Sequence, residues 1–119
     1  MAPEYWIEIG RVADIPRRGA RRVLLPDGTA IGVFRTADDE IFALVDRCPH
    51  RGGPLSEGMV QGRAVACPLH GWVIDLASGE AEAPDVGCTK PMAVRLAGDR
   101  ILLSPALSGP VRDLRWEAA

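Results

Sequence analysis

Cys48-Pro49-His50-Arg51-Gly52-Gly53-Pro54-Leu55-Ser56-Glu57-Gly58, followed after eight intervening residues by Cys67-Pro68-Leu69-His70-Gly71-Trp72-Val73-Ile74-Asp75, decides how this chain is read. The stretch contains both histidines and two of the three cysteines of a 119-residue protein. They fall into two boxes, Cys48-x-His50 and Cys67-x-x-His70, each pairing one soft thiolate with one imidazole. Two cysteines and two histidines can hold a tetrahedral zinc, or a [2Fe–2S] cluster in which two histidines replace two cysteines on one iron. Zinc fingers usually pair like ligands within a box, a few residues apart. Here both boxes are mixed, and the first has a single residue between its ligands, which suits a binuclear cluster better. Cys48 and Cys67 then take the inner iron, and His50 and His70 reach an outer iron nearer solvent. A structural zinc, or four unrelated buried side chains, are the alternatives. The use of both histidines, with Cys48-Pro49 and Cys67-Pro68 repeated at the two boxes, weighs against the last.

Composition bounds the rest. A chain of this length is one domain with a single modest core. A formal charge of −2 argues against nucleic acid or an anionic membrane as partner. Met1 to Pro16 carries scattered charges and no apolar run, so no signal peptide is expected. Arg17-Arg18 is not followed by a hydrophobic stretch, and no segment approaches the roughly 18 apolar residues of a membrane span. These features, with an odd count of 3 cysteines, predict a cytoplasmic protein in a reducing compartment.

Apart from the boxes, the chain reads as short strands between turn signals, with no long helical period. Strands are expected at Tyr5–Ile9, Arg22–Leu25, Ile31–Arg35, Ile41–Val45, Arg63–Ala66, Val73–Leu76, Met92–Leu96 and Ile101–Leu103. Pro26-Asp27-Gly28 and Gly98-Asp99 read as hairpin connections, Asp38-Asp39 as a turn, and Ser78-Gly79 as a tight turn with positive φ at the glycine. A loop is expected from Ile15-Pro16 through Gly19. The fold class is all-β, an antiparallel sandwich or barrel with a small cluster-bearing subdomain. Residues 1–103 form the domain, with cluster-binding loops at 46–75, and residues 104–119 form a C-terminal arm. That arm either lies over its own sheet or offers Trp116 to a partner.

The pattern Cys48-x-His50…Cys67-x-x-His70 resembles the Rieske iron–sulfur family, whose [2Fe–2S] cluster sits at the tips of two loops. The fuller wording is more specific, from Cys48 through Gly58 and from Cys67 through Ala81, together with Ala83-Pro84-Asp85-Val86-Gly87-Cys88. It is similar to the small subunit of assimilatory NAD(P)H-dependent nitrite reductase, over about Tyr5 to Leu103. The resemblance implies a cluster held by Cys48, His50, Cys67 and His70, with no catalytic site of the chain's own. Its partner would be a large flavin- and sirohaem-bearing reductase subunit that reduces nitrite to ammonia, or another redox protein. A free-standing Rieske ferredoxin serving a ring-hydroxylating dioxygenase is the alternative, and a cluster-free docking module a third.

Within that resemblance, Gly52, Gly53, Gly58 and Gly71 are expected to bend the backbone and bring N–H groups towards cluster sulfurs. Pro49, Pro54 and Pro68 stiffen the loops. Leu55, Met59 and Leu69 either shield the cluster or form plain core, with core favoured for Met59. Trp72 packs under the second loop, and Ala83-Pro84-Asp85 belongs to a third, covering loop. Cys88, in that loop, reads as a buried, inert thiol. High-potential members carry a cysteine in each loop where this chain has Gly53 and Leu69, and a serine where it has Trp72. Losing hydrogen bonds to the cluster disfavours its reduced form, so the potential is expected near the low end of the Rieske span, about −150 mV rather than +300 mV. No dinucleotide fingerprint or P-loop is present, and Asp75 and Glu80 read as turn and surface residues rather than an acid–base pair.

Overall fold

In the computed structural model, residues 6–25, 28–49, 52–68, 71–104 and 115–116 are described. The order is β1 (Ile7–Arg11), β2 (Gly19–Leu24), β3 (Ala30–Arg35), β4 (Ile41–Val45), β5 (Met59–Gln61), β6 (Ala64–Ala66), β7 (Val73–Asp75), β8 (Pro91–Ala97), β9 (Arg100–Ser104) and β10 (Arg115–Trp116). Two single-turn 3-10 segments, Val12–Asp14 and Leu55–Glu57, are the only helical pieces among the described residues. All strand pairings among the described residues are antiparallel. The large sheet runs β1-β9-β8-β4-β3-β2-β10, and the small one β5-β6-β7. This is the all-β architecture expected, a half-barrel with a small second sheet.

The central strands show why the sequence reads as apolar runs rather than as clean alternation. On β3, Ile31 and Val33 belong to one buried cluster with Val23, Ala43, Ile101 and Leu103. Phe34 belongs to the other, with Leu44, Val60, Val65 and Ile74. Successive side chains of a strand point to opposite faces, so β3 and β4 are covered on both sides. The second cluster is the seam between the two sheets, and both box cysteines are in it.

The strand expectations hold with shifts of one to three residues at several ends. Four elements lie outside the expectations: β5, β10 and the two 3-10 turns. Met59 begins β5 with 61% exposure, so it is not core; alternation on this three-residue strand points Val60 inward instead. Gly79 has φ +77°, as the tight turn requires, and Asp39 sits at φ +64° in the β3–β4 turn. The β2–β3 hairpin is present, closed by Leu25 N–H donating to Thr29 O at 2.9 Å, although Pro26 and Asp27 lie outside the described residues. Of the C-terminal arm, Arg115 and Trp116 pair with Leu24 and Val23 of β2, so this piece extends the edge of its own sheet rather than crossing a face. No described helix is long and apolar enough to cross a membrane.

Candidate metal centre

The two boxes are built on the same backbone frame. Cys48 N–H donates to Gly53 O at 2.8 Å, and Gly52 N–H returns to Cys48 O at 2.8 Å. Nineteen positions on, Cys67 N–H donates to Trp72 O at 2.7 Å, and Gly71 N–H returns to Cys67 O at 3.0 Å. Gly52 and Gly71 have φ of +73° and +72°, a left-handed conformation that glycine adopts without the Cβ penalty. The shared spelling Cys-Pro-x-x-Gly is therefore a closed six-residue loop used twice. The bending expected of Gly52 and Gly71 is present. Their N–H groups, however, donate to the cysteine carbonyls, so these two donors are engaged within the loops and not held ready for sulfur. Gly58 is extended (φ −83°, ψ −177°) and its N–H goes to Leu55 O at 2.9 Å; a Cβ there would collide with Ala66 O, so this glycine serves close approach to β6.

Neither box cysteine is in a disulfide; they are 2% and 4% exposed, in one apolar seam with Leu55, which is fully buried. His50, Arg51, Leu69 and His70 lie outside the described residues. Two buried, unbridged thiols on matched loops fit the soft-ligand half of an iron–sulfur site. Trp72 packs against the same seam, as expected.

A third segment covers the first two. A Cβ at Gly87 would lie 3.0 Å from Pro49 Cβ and 3.7 Å from the Trp72 ring, so the 83–88 loop sits between the two frames. It is tethered by Glu82 N–H to Val73 O (2.8 Å), Ala81 N–H to Gly87 O (2.9 Å) and Thr89 Oγ1–H to Val45 O (2.8 Å). Cys88 is exposed, correcting the expectation of a buried thiol. Its backbone bridges to Glu80. Val86 is 87% exposed. A groove joins the first frame to this loop, lined by Cys48, Pro49, Gly52 and Cys88, with Arg47 and Lys90 exposed beside them. Asp75 accepts from Ser78 N–H at 2.8 Å and Glu80 is exposed, the turn and surface roles read from sequence.

Comparison with known proteins agrees with this geometry. Over 75 residues the chain is 40% identical to the 4β-methylsterol monooxygenase of Methylococcus capsulatus, spanning 63% of this chain but only 20% of that protein. It is 30% identical over 92 residues to ferredoxin CarAc of Metapseudomonas resinovorans, covering 76% of this chain and 82% of that one. Among solved structures, a candidate NADH-dependent nitrite reductase small subunit of Mycobacterium tuberculosis superposes with a TM-score of 0.74 at 23% identity, covering 83% of this chain and 93% of that one; this likeness is one of fold. Residues 5–103 match the Rieske [2Fe-2S] domain, which makes the cofactor a Rieske-type [2Fe–2S] cluster. With its paired Cys-Pro loops at the seam of two antiparallel sheets, the chain belongs to the Rieske [2Fe-2S] family of electron-transfer proteins.

Proposed function

We propose that Cys48, His50, Cys67 and His70 hold the cluster, and that the chain is the electron-transfer small subunit of an NAD(P)H-dependent nitrite reductase in the cytoplasm. A large flavin- and sirohaem-bearing subunit is the partner in this reading. The supporting observation is the meeting of Pro49, Trp72 and Gly87, one from each of the three segments whose wording resembles that subunit. The bound cluster supplies one-electron chemistry. The chain's own residues supply a dry pocket for the thiolates, through Leu55, Val65 and Ile74 around Cys48 and Cys67, and leave the open side to the partner. Nitrite reduction itself belongs to the partner. Residues 1–103 act as the Rieske domain with its loops at 46–75, and 104–119 as an arm.

A second reading, a ferredoxin serving an oxygenase, draws on the similarity to CarAc across most of both chains. Expression beside the large subunit separates the two. Stable co-purification and restored nitrite-dependent NAD(P)H oxidation support the first. A chain that stays alone, fails to stimulate nitrite reduction and passes electrons to a Rieske oxygenase establishes the second. A potentiometric titration checks the low potential, about −150 mV on the family's span; a midpoint well above zero would remove that part of the reading.

A further inference from the structure

The two frames are closed at their necks in different ways. The second, Cys67 to Trp72, is flanked by β6 and β7, which pair directly through Ala66 and Val73, so a strand ladder holds its ends. The first is flanked by β4 and by the 3-10 turn Leu55–Glu57 that leads into β5. Those flanks do not pair with each other: β4 lies between β3 and β8, and β5 pairs with β6. A buried carboxylate ties one flank to the other. Asp46 Oδ1 accepts Ser56 N–H at 2.7 Å, and Oδ2 accepts Ser56 Oγ–H at 2.5 Å and Arg22 Nε–H at 2.7 Å. The Asp46 side chain is 0% exposed and that of Arg22 30%. Asp46 is itself fixed to β3, its N–H donating to Ala30 O at 2.9 Å. A Cβ at Gly32 would come within 3.3 Å of Oδ1, so the missing side chain on β3 leaves room for the group.

A buried carboxylate is tolerated only when its lone pairs are met and its charge is balanced, and here backbone, hydroxyl and guanidinium do both. The ten-residue span from Asp46 to Ser56 brackets Cys48 and His50. We propose that Asp46, with Ser56 and Arg22, is the clamp that positions the first ligand loop, doing with side chains what the β6–β7 ladder does for the second. Asp46 is thus a positioning residue for the cluster. The proposal rests on the Rieske site reading above.

The test compares Ser56→Ala, Ser56→Thr and Asp46→Asn in the full chain. Ser56→Ala removes one hydrogen bond to a charged acceptor, which raises local opening roughly tenfold. Asp46→Asn acts more strongly, because whichever way the amide is turned its NH2 faces a donor. In the cluster-free protein, hydrogen exchange over 47–55 should speed up about tenfold in Ser56→Ala, with 73–75 unchanged. In the loaded protein, Ser56→Ala and Asp46→Asn should shift the rhombic EPR signal and hasten cluster loss to a chelator, and Ser56→Thr should restore both. Equal loss of protection over 47–55 and 73–75, or an unaltered signal and retention in Ser56→Ala and Asp46→Asn, overturns the clamp. Absence of a rhombic signal from the wild type instead overturns the Rieske site, and the exchange measurement still judges the clamp.

Discussion

Gly79→Ala is the sharpest stability test of how the covering loop is attached, because a matched control lies in the same chain. Gly79 has φ +77° and Gly98 φ +64°, so alanine meets the left-handed penalty at both, about 1–2 kcal/mol. At Gly98 a Cβ finds nothing within 4 Å, whereas at Gly79 it collides with the Thr89 carbonyl oxygen. That oxygen cannot retreat freely. Thr89 N–H donates to Gly79 O at 2.8 Å, and Thr89 Oγ1–H to Val45 O at 2.8 Å. Relieving the overlap therefore displaces either the 76–79 turn or the anchor of the covering loop on β4, adding about 1–3 kcal/mol by the usual cost of overpacking. Gly79→Ala should thus cost about 2–5 kcal/mol and Gly98→Ala about 1–2. With about 3–5 °C per kcal/mol for a chain of this size, the melting midpoints should separate by roughly 3–15 °C. Thermal unfolding followed by circular dichroism measures the gap. Equal midpoints for the two variants would refute the steric argument and leave only backbone strain.

Three further outcomes follow from the packing and charges. Leu55→Ala, at a fully buried site beside both box cysteines, should lower stability by about 2–5 kcal/mol in chemical denaturation and leave a cluster that bleaches faster. Cys88→Ser should leave the cluster's absorption intact while removing the thiol that reacts with Ellman's reagent in the folded, loaded protein; Cys48→Ser should abolish the native spectrum. Asp39 is held below its ordinary pKa of 3.8, first by hydrogen bonds from Arg35 and Arg17. Its stabilising effect is therefore complete above that ordinary value and is lost as pH falls through the lower folded value. Asp39→Asn keeps a residue that tolerates positive φ, so its stability deficit against wild type, read by denaturant midpoints across pH, should shrink on acidification below 3.8.

Much of the fold was legible because its signals are local. Val, Ile and Phe runs bounded by Gly, Pro and Asp mark β2, β3, β4, β8 and β9, and Ile41–Val45 is reproduced end to end. The box spelling was legible for the same reason, since a fixed Cys-Pro-x-x-Gly interval is visible without knowing what lies across from it. What escaped the sequence is non-local. β5 is three residues beginning with an exposed Met59, and becomes a strand only because β6 pairs with it. Cys88 sits among residues that read as a covering loop, but nothing in that wording tells which side faces out. Asp46 looked like any residue leading into a box. Its part as a neck-closing group depends on Ser56, ten positions on, and Arg22, two strands away. The N–H groups of Gly52 and Gly71 turn inward because each frame closes on its own cysteine carbonyl, a pairing the spelling does not reveal.

The twin frames also bear on the order in which such a protein is made. Each turn is fastened by bonds among its own backbone atoms, Cys48 with Gly52 and Gly53, Cys67 with Gly71 and Trp72. Neither fastening uses iron or sulfide. In zinc fingers the metal supplies the folding free energy and the apo chain is unfolded. If these bonds suffice, the cluster-free chain keeps both turns, and amide exchange at Gly52 and Gly71 stays slow before any iron or sulfide is supplied; a chain that is unfolded without its inorganic core would place this protein with the zinc fingers instead.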